Sequence, residues 1–254
     1  MTARKDLEGR TAVVTGAARG IGFAIASQLA DAGATLALLD RDGAEVEAAA
    51  ARLSAAVAWS CDVSDAPNIR HVFEQIHATF GAVDILVNNA GIWRHTPVLA
   101  TEEEQWDEVF AVNVKGVLFA SRATAARMIE QGWGKIVNIA SVAGFGGSSN
   151  WSAYCASKAA SISLTLALAQ ELKPHNIQVQ AVCPGATQTE LLDRIEQAEP
   201  GSRFDWIHRP EEVAGEVVKL VVPFEQTGTG RIIPMKPPDS VLGINVQFGP
   251  AASA

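Results

Sequence analysis

The sequence predicts an α/β fold: one domain carrying a doubly wound parallel sheet with helices on both faces. Three observations predict it. Short apolar runs alternate with helix-like runs from residue 11 to residue 235, with no low-complexity linker and no internal repeat between them. The apolar runs lack the polar alternation of a half-exposed strand, so they read as strands covered on both faces, the habit of parallel sheets. The first run, Thr11-Ala12-Val13-Val14-Thr15, passes through a glycine-rich turn straight into a helical pattern. At 254 residues, 48% of them hydrophobic, the chain has the length and apolar content to fill one such core, and residues 1–254 read as a single domain.

The elements follow in order. Residues 11–15 are a buried strand, 20–32 a helix closed by Gly33, and 35–39 a second strand that ends at Asp40. Asp42 and Glu45 have the spacing of a capping box for a helix through Leu53. Residues 55–60 are a third strand, 65–80 a helix, and 83–87 a fourth strand. Thr101 and Glu104 suggest another capping box, opening a helix through Phe110 and on to about Gln131. Residues 135–140 are a fifth strand, and the Ala- and Leu-rich stretch after Trp151 is a helix to Lys173. Residues 177–182 are a sixth strand, stopped by Pro184-Gly185. Pro210 suits a first helical position, with Glu211 and Glu212 in the first turn. Residues 231–235 are a last short strand.

Charge and composition exclude several function classes. Net charge is −8, from 20 basic and 28 acidic residues, with a pI near 5.2 and mean hydropathy +0.13. Without a basic cluster, neither nucleic acid nor an anionic membrane is expected as a partner. The polar start at residues 1–10 is not that of a signal peptide, and no run of about 18 apolar residues exists to span a bilayer. Cys61, Cys155 and Cys183 show no metal-ligand spacing, so no metal is expected; they suit a reducing, cytoplasmic setting.

The chemistry centres on Tyr154-Cys155-Ala156-Ser157-Lys158. Tyr154 is the one tyrosine of the chain. Residues four apart on a helix share a face, so a phenol stands beside an ammonium. A free phenol, with a pKa of about 10, is a poor base at neutral pH, and a nearby positive charge favours its ionised form. The pair reads as a general acid/base, though Tyr-x-x-x-Lys alone is also what a helix start with a solvated lysine looks like. Two further features give it a partner. Gly16-Ala17-Ala18-Arg19-Gly20-Ile21-Gly22 forms a strand–turn–helix in which glycines permit close backbone approach and a helix N-terminus faces a pyrophosphate. Asp40, ending the second strand, can accept from both hydroxyls of an adenosine ribose and repels a 2′-phosphate, which favours NAD; Arg19 and Arg41 weigh mildly the other way.

With these motifs on the page, residues from Leu7 to about Glu190 resemble the short-chain dehydrogenase/reductases, a Rossmann-fold family. The likeness rests on Thr15-Gly16-x-x-x-Gly20-Ile21-Gly22, Asn88-Asn89-Ala90-Gly91, Asn113, Ser141, Tyr154-x-x-x-Lys158 and Pro184-Gly185. It implies a catalytic set: Tyr154 exchanging a proton with an alcohol or ketone, Lys158 lowering the phenol pKa and holding the nicotinamide ribose, Ser141 orienting the substrate oxygen, and Asn113 holding a proton-relaying water. It implies cofactor contacts from Asp62 and Val63 to adenine, from Asn89, Ala90 and Gly91 along the dinucleotide, and from Thr187 and Thr189 to the nicotinamide amide or phosphates. The activity so implied is NAD(H)-dependent interconversion of a secondary alcohol and a ketone. The alternatives are an NADPH-dependent 3-oxoacyl carrier-protein reductase and, from another class, a catalytically inactive dinucleotide-binding scaffold.

Three further expectations concern the rest of the chain. Trp93, Phe145, Trp151 and Trp206 are expected near the pocket, and residues 187–209 to form a substrate loop, with Phe204 or Trp206 over the ligand. His95, Arg194, Arg203, His208 and Arg209 are the cations that could meet an anion there. Two apolar stripes on the helix after Tyr154, one of Leu164, Leu168 and Leu172 and one of Ile162, Leu166 and Ala169, predict a homodimer or homotetramer. The family ends its last strand with Asp-Gly-Gly; here Lys236-Pro237-Pro238 follows instead, making the tail at 236–254 atypical.

Overall fold

The computed structural model describes residues 6–201, 204, 206–222 and 228–235. The Lys236-Pro237-Pro238 departure, the tail at 236–254 and Arg203 lie outside them. Seven strands, β1 (Thr11–Thr15), β2 (Thr35–Asp40), β3 (Ala56–Ser60), β4 (Ile85–Asn88), β5 (Gly134–Ile139), β6 (Ile177–Cys183) and β7 (Ile232–Pro234), pair in parallel in the order β3-β2-β1-β4-β5-β6-β7. Ala12 stands opposite Leu36 on one side and Ile85 on the other.

The inner strands are largely apolar because both faces are covered; Lys135, Asn138, Gln178 and Gln180 are buried polar exceptions, and β3 is partly exposed. Successive residues point to opposite faces. Ala12 and Val14 of β1 pack with Ile25 and Leu29 of α1 (Gly20–Asp31) and with Val213 and Val217 of α8 (Pro210–Val221). Val13, between them, packs with Phe73 and Ile76 of α3 (Ala66–Phe80) and Met128 of α5 (Val117–Gln131). Each fully buried side chain of this kind contributes about 1.5–3 kcal/mol. Strand order reverses between β1 and β4, so the connections leaving them part to opposite faces and open a crevice at the carboxyl ends, where open α/β sheets bind ligands.

Local signals decide the ends. Asp42 caps α2 (Gly43–Ala50) by accepting from Glu45 N at 3.2 Å, as expected, although the helix stops before Leu53. The capping box expected at Thr101 and Glu104 does not form. Thr101 is taken up by the preceding turn, where its hydroxyl donates to Pro97 O at 3.1 Å, and α4 (Glu103–Phe110) starts from Glu102 without a side-chain cap. At α8, the Glu212 carboxylate accepts from Arg209 N at 2.7 Å. From α4 to α5 the helix is continuous, but Ala111–Gly116 is wound as π-helix, a departure that concentrates at functional sites.

The stripes expected on α6 (Ser152–Leu172) are not separated as drawn. Ile162, Ala169 and Leu172 are buried, while Leu164, Leu166 and Leu168 are half-buried. Ile162, Ala169 and Leu172, spaced seven and three apart, share one helix face, so members of both stripes meet the core together.

Candidate active site

The glycine-rich turn and the end of β4 are built as one piece. Gly16 has φ +63°, a left-handed conformation that favours glycine, and a Cβ there would lie 2.8 Å from Ala90 Cα. A side chain on Gly22 would meet the Gly16 carbonyl and Asn89 Nδ2. Asn89 fastens the two segments: its Nδ2 donates to Thr15 O at 3.0 Å and Gly16 O at 2.9 Å, and its backbone N donates to Thr15 Oγ1 at 3.0 Å. Gly20 and Ile21 open α1, whose first turn receives no side-chain cap from Arg19. A cradle closed to any Cβ, facing an uncapped helix N-terminus, fits a pyrophosphate.

Asp40 stands beside the turn. Its Oδ2 accepts from Ala18 N and its Oδ1 from Asp42 N, each at 3.2 Å. Each carboxylate oxygen retains a further lone pair, and the backbone fixes where both point. Arg19 instead pairs with Glu190 at 3.3 Å. Asp62 is exposed and spends one carboxylate oxygen on Ser64 N at 2.8 Å, and Val63 is buried against the sheet.

On the other side of the crevice, Ser141, Tyr154 and Lys158 converge. Ser141 follows β5; its Oγ accepts from Ala143 N at 3.1 Å and donates to Pro184 O at 3.4 Å, and it stands close enough to the Tyr154 phenol to act on its ionisation. Lys158 Nζ donates to Ile139 O at 3.0 Å and lies 5.7 Å from the Tyr154 ring centre. Asn113 sits in the π-helical turn, 1% exposed. Its Oδ1 accepts from Ile92 N, and its Nδ2 donates to Ile92 O and to Ser157 Oγ, all at 2.9 Å. Ser157 Oγ in turn donates to Tyr154 O at 2.8 Å. The amide thus ties the loop after β4 to the helix that carries Tyr154 and Lys158. The point where a Gly91 side chain would begin is 3.4 Å from both Asn113 Oδ1 and Lys158 Nζ, so glycine keeps the space between them open.

Electrostatics here run against the simple expectation that Lys158 lowers the Tyr154 pKa. Burial pushes the phenol up to about 12, opposed in part by the Ser141 hydroxyl. Burial likewise pushes the Lys158 ammonium down to about 8, with the nearby Cys183 acting upward. The chain's own groups therefore keep Tyr154 a neutral proton donor. Ionising it takes positive charge beyond what they supply.

A model of the short chain dehydrogenase family matches residues 10–200. The chain belongs to that family. A 3-oxoacyl-[acyl-carrier-protein] reductase of Aquifex aeolicus is 36% identical over 240 residues, 89% of this chain and 96% of its own length. A sorbitol dehydrogenase of Cereibacter sphaeroides is 38% identical over 225 residues, 87% of this chain and 86% of its own. Among solved structures, a 3-ketoacyl-(acyl-carrier-protein) reductase of Brucella melitensis complexed with NADH superposes with a TM-score of 0.82 at 34% identity, covering 90% of this chain and 97% of that one.

In this short-chain dehydrogenase one cavity of about 310 Å³ joins the two halves of the crevice. Of the residues singled out in the sequence, Ile21, Asn89, Gly91, Ser141, Tyr154, Lys158, Pro184, Gly185, Thr187 and Thr189 line it. Gly16, Gly20, Gly22 and Ala90 shape its floor from behind, Asn113 stands behind Gly91, and Arg19, Asp40, Asp62 and Val63 lie outside its lining.

The expected aromatic residues divide. Trp151 lines the cavity and meets the Tyr154 ring edge-on at 6.0 Å. Trp93 is buried behind it, 5.4 Å from the Trp151 ring. Phe145 packs away from the cavity against Ala140 and Ile162. Phe204 lines the cavity, whereas Trp206 is 50% exposed and donates to His208 Nδ1 at 3.2 Å. None of the four described cations that could have met an anion lines the cavity, in keeping with the alternative that most of them sit on solvated loops. His95 pairs with Glu199 at 2.9 Å, His208 is buried under Trp206, Arg194 is exposed on α7 (Glu190–Ala198), and Arg209 precedes α8.

Sequence reasoning missed Glu199, which accepts from Trp151 Nε1 at 2.8 Å across 48 positions. It also missed the apolar strip from Val142 to Gly147 after β5. The strip's small residues were a visible signal; nothing local marked Glu199.

Proposed function

We propose that this chain is an NAD(H)-dependent oxidoreductase that interconverts a secondary alcohol and a ketone, with Tyr154 as the acid/base. The observation that carries the reading is the convergence of Ser141, Tyr154 and Lys158 on a cavity that runs on to Ile21 and Asn89 at the glycine cradle. When bound, the oxidised nicotinamide supplies a hydride acceptor and a positive charge near the phenol. Ser141 orients the substrate oxygen by hydrogen bonding. Tyr154 takes the alcohol proton in oxidation and returns it in reduction. Lys158 holds the nicotinamide ribose, and only together with the positive charge of the oxidised ring would it favour the phenolate. Asn113 has one free lone pair on Oδ1 and would hold, in the space over Gly91, a water that relays protons from Lys158.

Asp40 supports NAD over NADP. Its oxygens are aimed by Ala18 N and Asp42 N, while Arg19 is engaged by Glu190. The NADH-bound neighbour supports the same reading. That neighbour pairs a ketoacyl reductase with NADH, so cofactor and substrate are separate questions. No helix among the described residues is long and apolar enough to cross a membrane. We infer a cytoplasmic location and a homodimer or homotetramer, the latter from the half-buried Leu164, Leu166 and Leu168 on α6.

The test is the near-ultraviolet absorbance of reduced nicotinamide, followed with NAD and with NADP against a panel of secondary alcohols, and in reverse against their ketones and an acetoacetyl thioester. NAD reduction by a secondary alcohol is the expected result. Dinucleotide binding without turnover of any pair would favour the inactive scaffold. A preference for NADPH and the thioester would favour the acyl reductase.

A further inference from the structure

The substrate half of the cavity is apolar on every side but one. Val142, Trp151, Leu192, Ile195 and Phe204 form its walls. Trp151 alone of these carries a polar atom, and that indole N–H is already donated to Glu199 Oε1 at 2.8 Å. Trp151 therefore offers a substrate aromatic surface and no donor. The polar point of this half is the Ser141–Tyr154 pair; of the other polar side chains lining the cavity among the described residues, Ser148 is exposed, and Asn89, Thr187 and Thr189 already donate to backbone carbonyls. Lys158 is the single charged side chain among the described residues of the lining, and its Nζ is turned to Ile139 O at 3.0 Å.

These walls match one oxygen on an apolar body. Each extra hydroxyl of a polyol would face a wall with no partner, at a cost of about tenfold to a hundredfold in affinity per group. An anionic substrate would face, among the described residues, no cation but Lys158, which is turned to Ile139 O. A flexible alkyl chain could fill the space, but it loses rotamer freedom that a ring does not have, and an aromatic wall adds attraction for a flat ring. The cavity of about 310 Å³ also serves the nicotinamide end, so the body must be compact.

We propose that the substrate is a compact, uncharged, ring-bearing secondary alcohol or its ketone, seated against Trp151 and Phe204 with its single oxygen on Ser141 and Tyr154. The proposal rests on the dehydrogenase reading above and names the substrate class of that same site. In oxidation the carbinol C–H bond breaks with its electron pair passing as hydride to NAD, the O–H proton passes to the Tyr154 phenolate, which becomes the neutral phenol, and the ketone C=O forms.

The experiment compares kcat/KM with NAD for 1-phenylethanol, 2-octanol and D-sorbitol, on the wild type, Trp151→Ala and Phe204→Ala. The expected result is a preference for 1-phenylethanol of at least about tenfold over each of the others. Each variant should lose at least about tenfold for 1-phenylethanol, mainly through KM. Phe204 lies on a surface loop, so its variant remains informative if Trp151→Ala fails to fold. Sorbitol or 2-octanol matching or exceeding 1-phenylethanol overturns the substrate class while leaving the dehydrogenase reading intact. If no alcohol reduces NAD, that reading falls. Calorimetric titration of acetophenone and erythrulose into the protein with NADH then decides the class, and acetophenone binding less than about tenfold tighter overturns it.

Discussion

Trp151, on the cavity wall, and Glu199 are joined by a 2.8 Å hydrogen bond from indole Nε1 to carboxylate Oε1. Trp151 is the N-cap of α6, the helix that bears Tyr154 and Lys158, and Glu199 is the C-cap of α7. The same carboxylate oxygen lies 2.9 Å from His95 Nε2. The base of the α7 segment is pinned separately, by His208 N to Ala186 O and Gln188 N to His208 O, each 2.8 Å. Glu199 thus fastens the far end of α7 to the wall that faces the substrate. Glu199→Ala is expected to raise the substrate KM roughly tenfold with kcat nearly unchanged, the mark of lost positioning rather than lost chemistry. Glu199→Gln keeps an acceptor for the indole and should fall between. Steady-state kinetics at saturating NAD check this, and a fall in kcat with KM constant would contradict it.

Tyr154→Phe removes one oxygen from a buried helix position and leaves the ring that packs on Trp151. Turnover is expected to drop by about 10²–10⁴, while NADH affinity, measured by fluorescence titration, stays within about twofold of the wild type. Appreciable turnover in the purified variant would assign the proton transfer elsewhere.

The sheet, the glycine-rich turn and the Tyr154–Lys158 spacing were legible in the sequence because each depends on local signals, whereas Ser141, Asn113 and the other candidate contacts were named only through the family resemblance. Apolar runs without alternation marked β1, β2 and β4 to β6, and the glycines of residues 16–22 marked the turn. Tyr154 and Lys158 were paired by helix periodicity alone. What stayed hidden is what the third dimension adds. The π-helical winding at Ala111–Gly116 keeps a helical pattern in sequence and changes only the hydrogen-bond register. Glu199 and Trp151 meet through the path of α7, which no spacing encodes. The upward push on the Tyr154 pKa comes from 8% exposure, a property of the packed surroundings and not of the motif. The aromatic residues show the same limit: composition pointed to Trp93, Phe145, Trp151 and Trp206, and the fold put only Trp151 of these on the cavity wall.

Cofactor choice turns on Asp40. The wild type is expected to prefer NAD over NADP by at least about tenfold in kcat/KM, roughly 1.4 kcal/mol. Asp40→Ser removes the charge that repels a 2′-phosphate but keeps a short polar group near Ala18 N, so the preference should shrink toward unity. Parallel kinetics with the two cofactors measure it. An unchanged ratio in the variant would shift discrimination to Arg19 or Arg41.

Lys158 carries a stability prediction with a defined sign. Its folded pKa, about 8, lies below the unfolded value of 10.5, so between those pH values the unfolded chain binds more protons than the folded one. Its contribution to stability therefore rises with pH across that window and is least favourable below pH 8. Lys135, buried and also pushed down to about 8, titrates in the same window. Lys158→Met should remove part of the rise and be more stable than the wild type at neutral pH, while losing turnover and cofactor affinity. Denaturant unfolding at pH 7 and pH 10 tests this. A variant less stable than the wild type at both would mean that the Lys158–Ile139 bond outweighs the burial cost.

The segment from Thr187 to Arg209 is far longer than an ordinary connection of about 4–6 residues, and its middle is α7, with Leu192 and Ile195 buried at 5% and 8% exposure against the cavity. Its two feet are stitched together at Ala186, Gln188 and His208, so it can swing as a unit about them without breaking the sheet. The contact opposing that swing at the free end is the Glu199 bond, supported by Ile195 and Phe204 on the apolar wall. An arrangement with fixed feet, an apolar underside and a polar latch at the tip is suited to open for ligand and close over it, excluding water from the reacting atoms. Hydrogen exchange of α7 is expected to be fast in the protein alone and slowed at least about tenfold with NADH and a substrate ketone bound. Trp206, half exposed and bonded to His208, should be indifferent, so Trp206→Ala should leave KM unchanged while Phe204→Ala raises it. Strong and equal protection of α7 in both states would show a permanent wall instead of a lid, and the Phe204→Ala defect should then appear in stability rather than in KM.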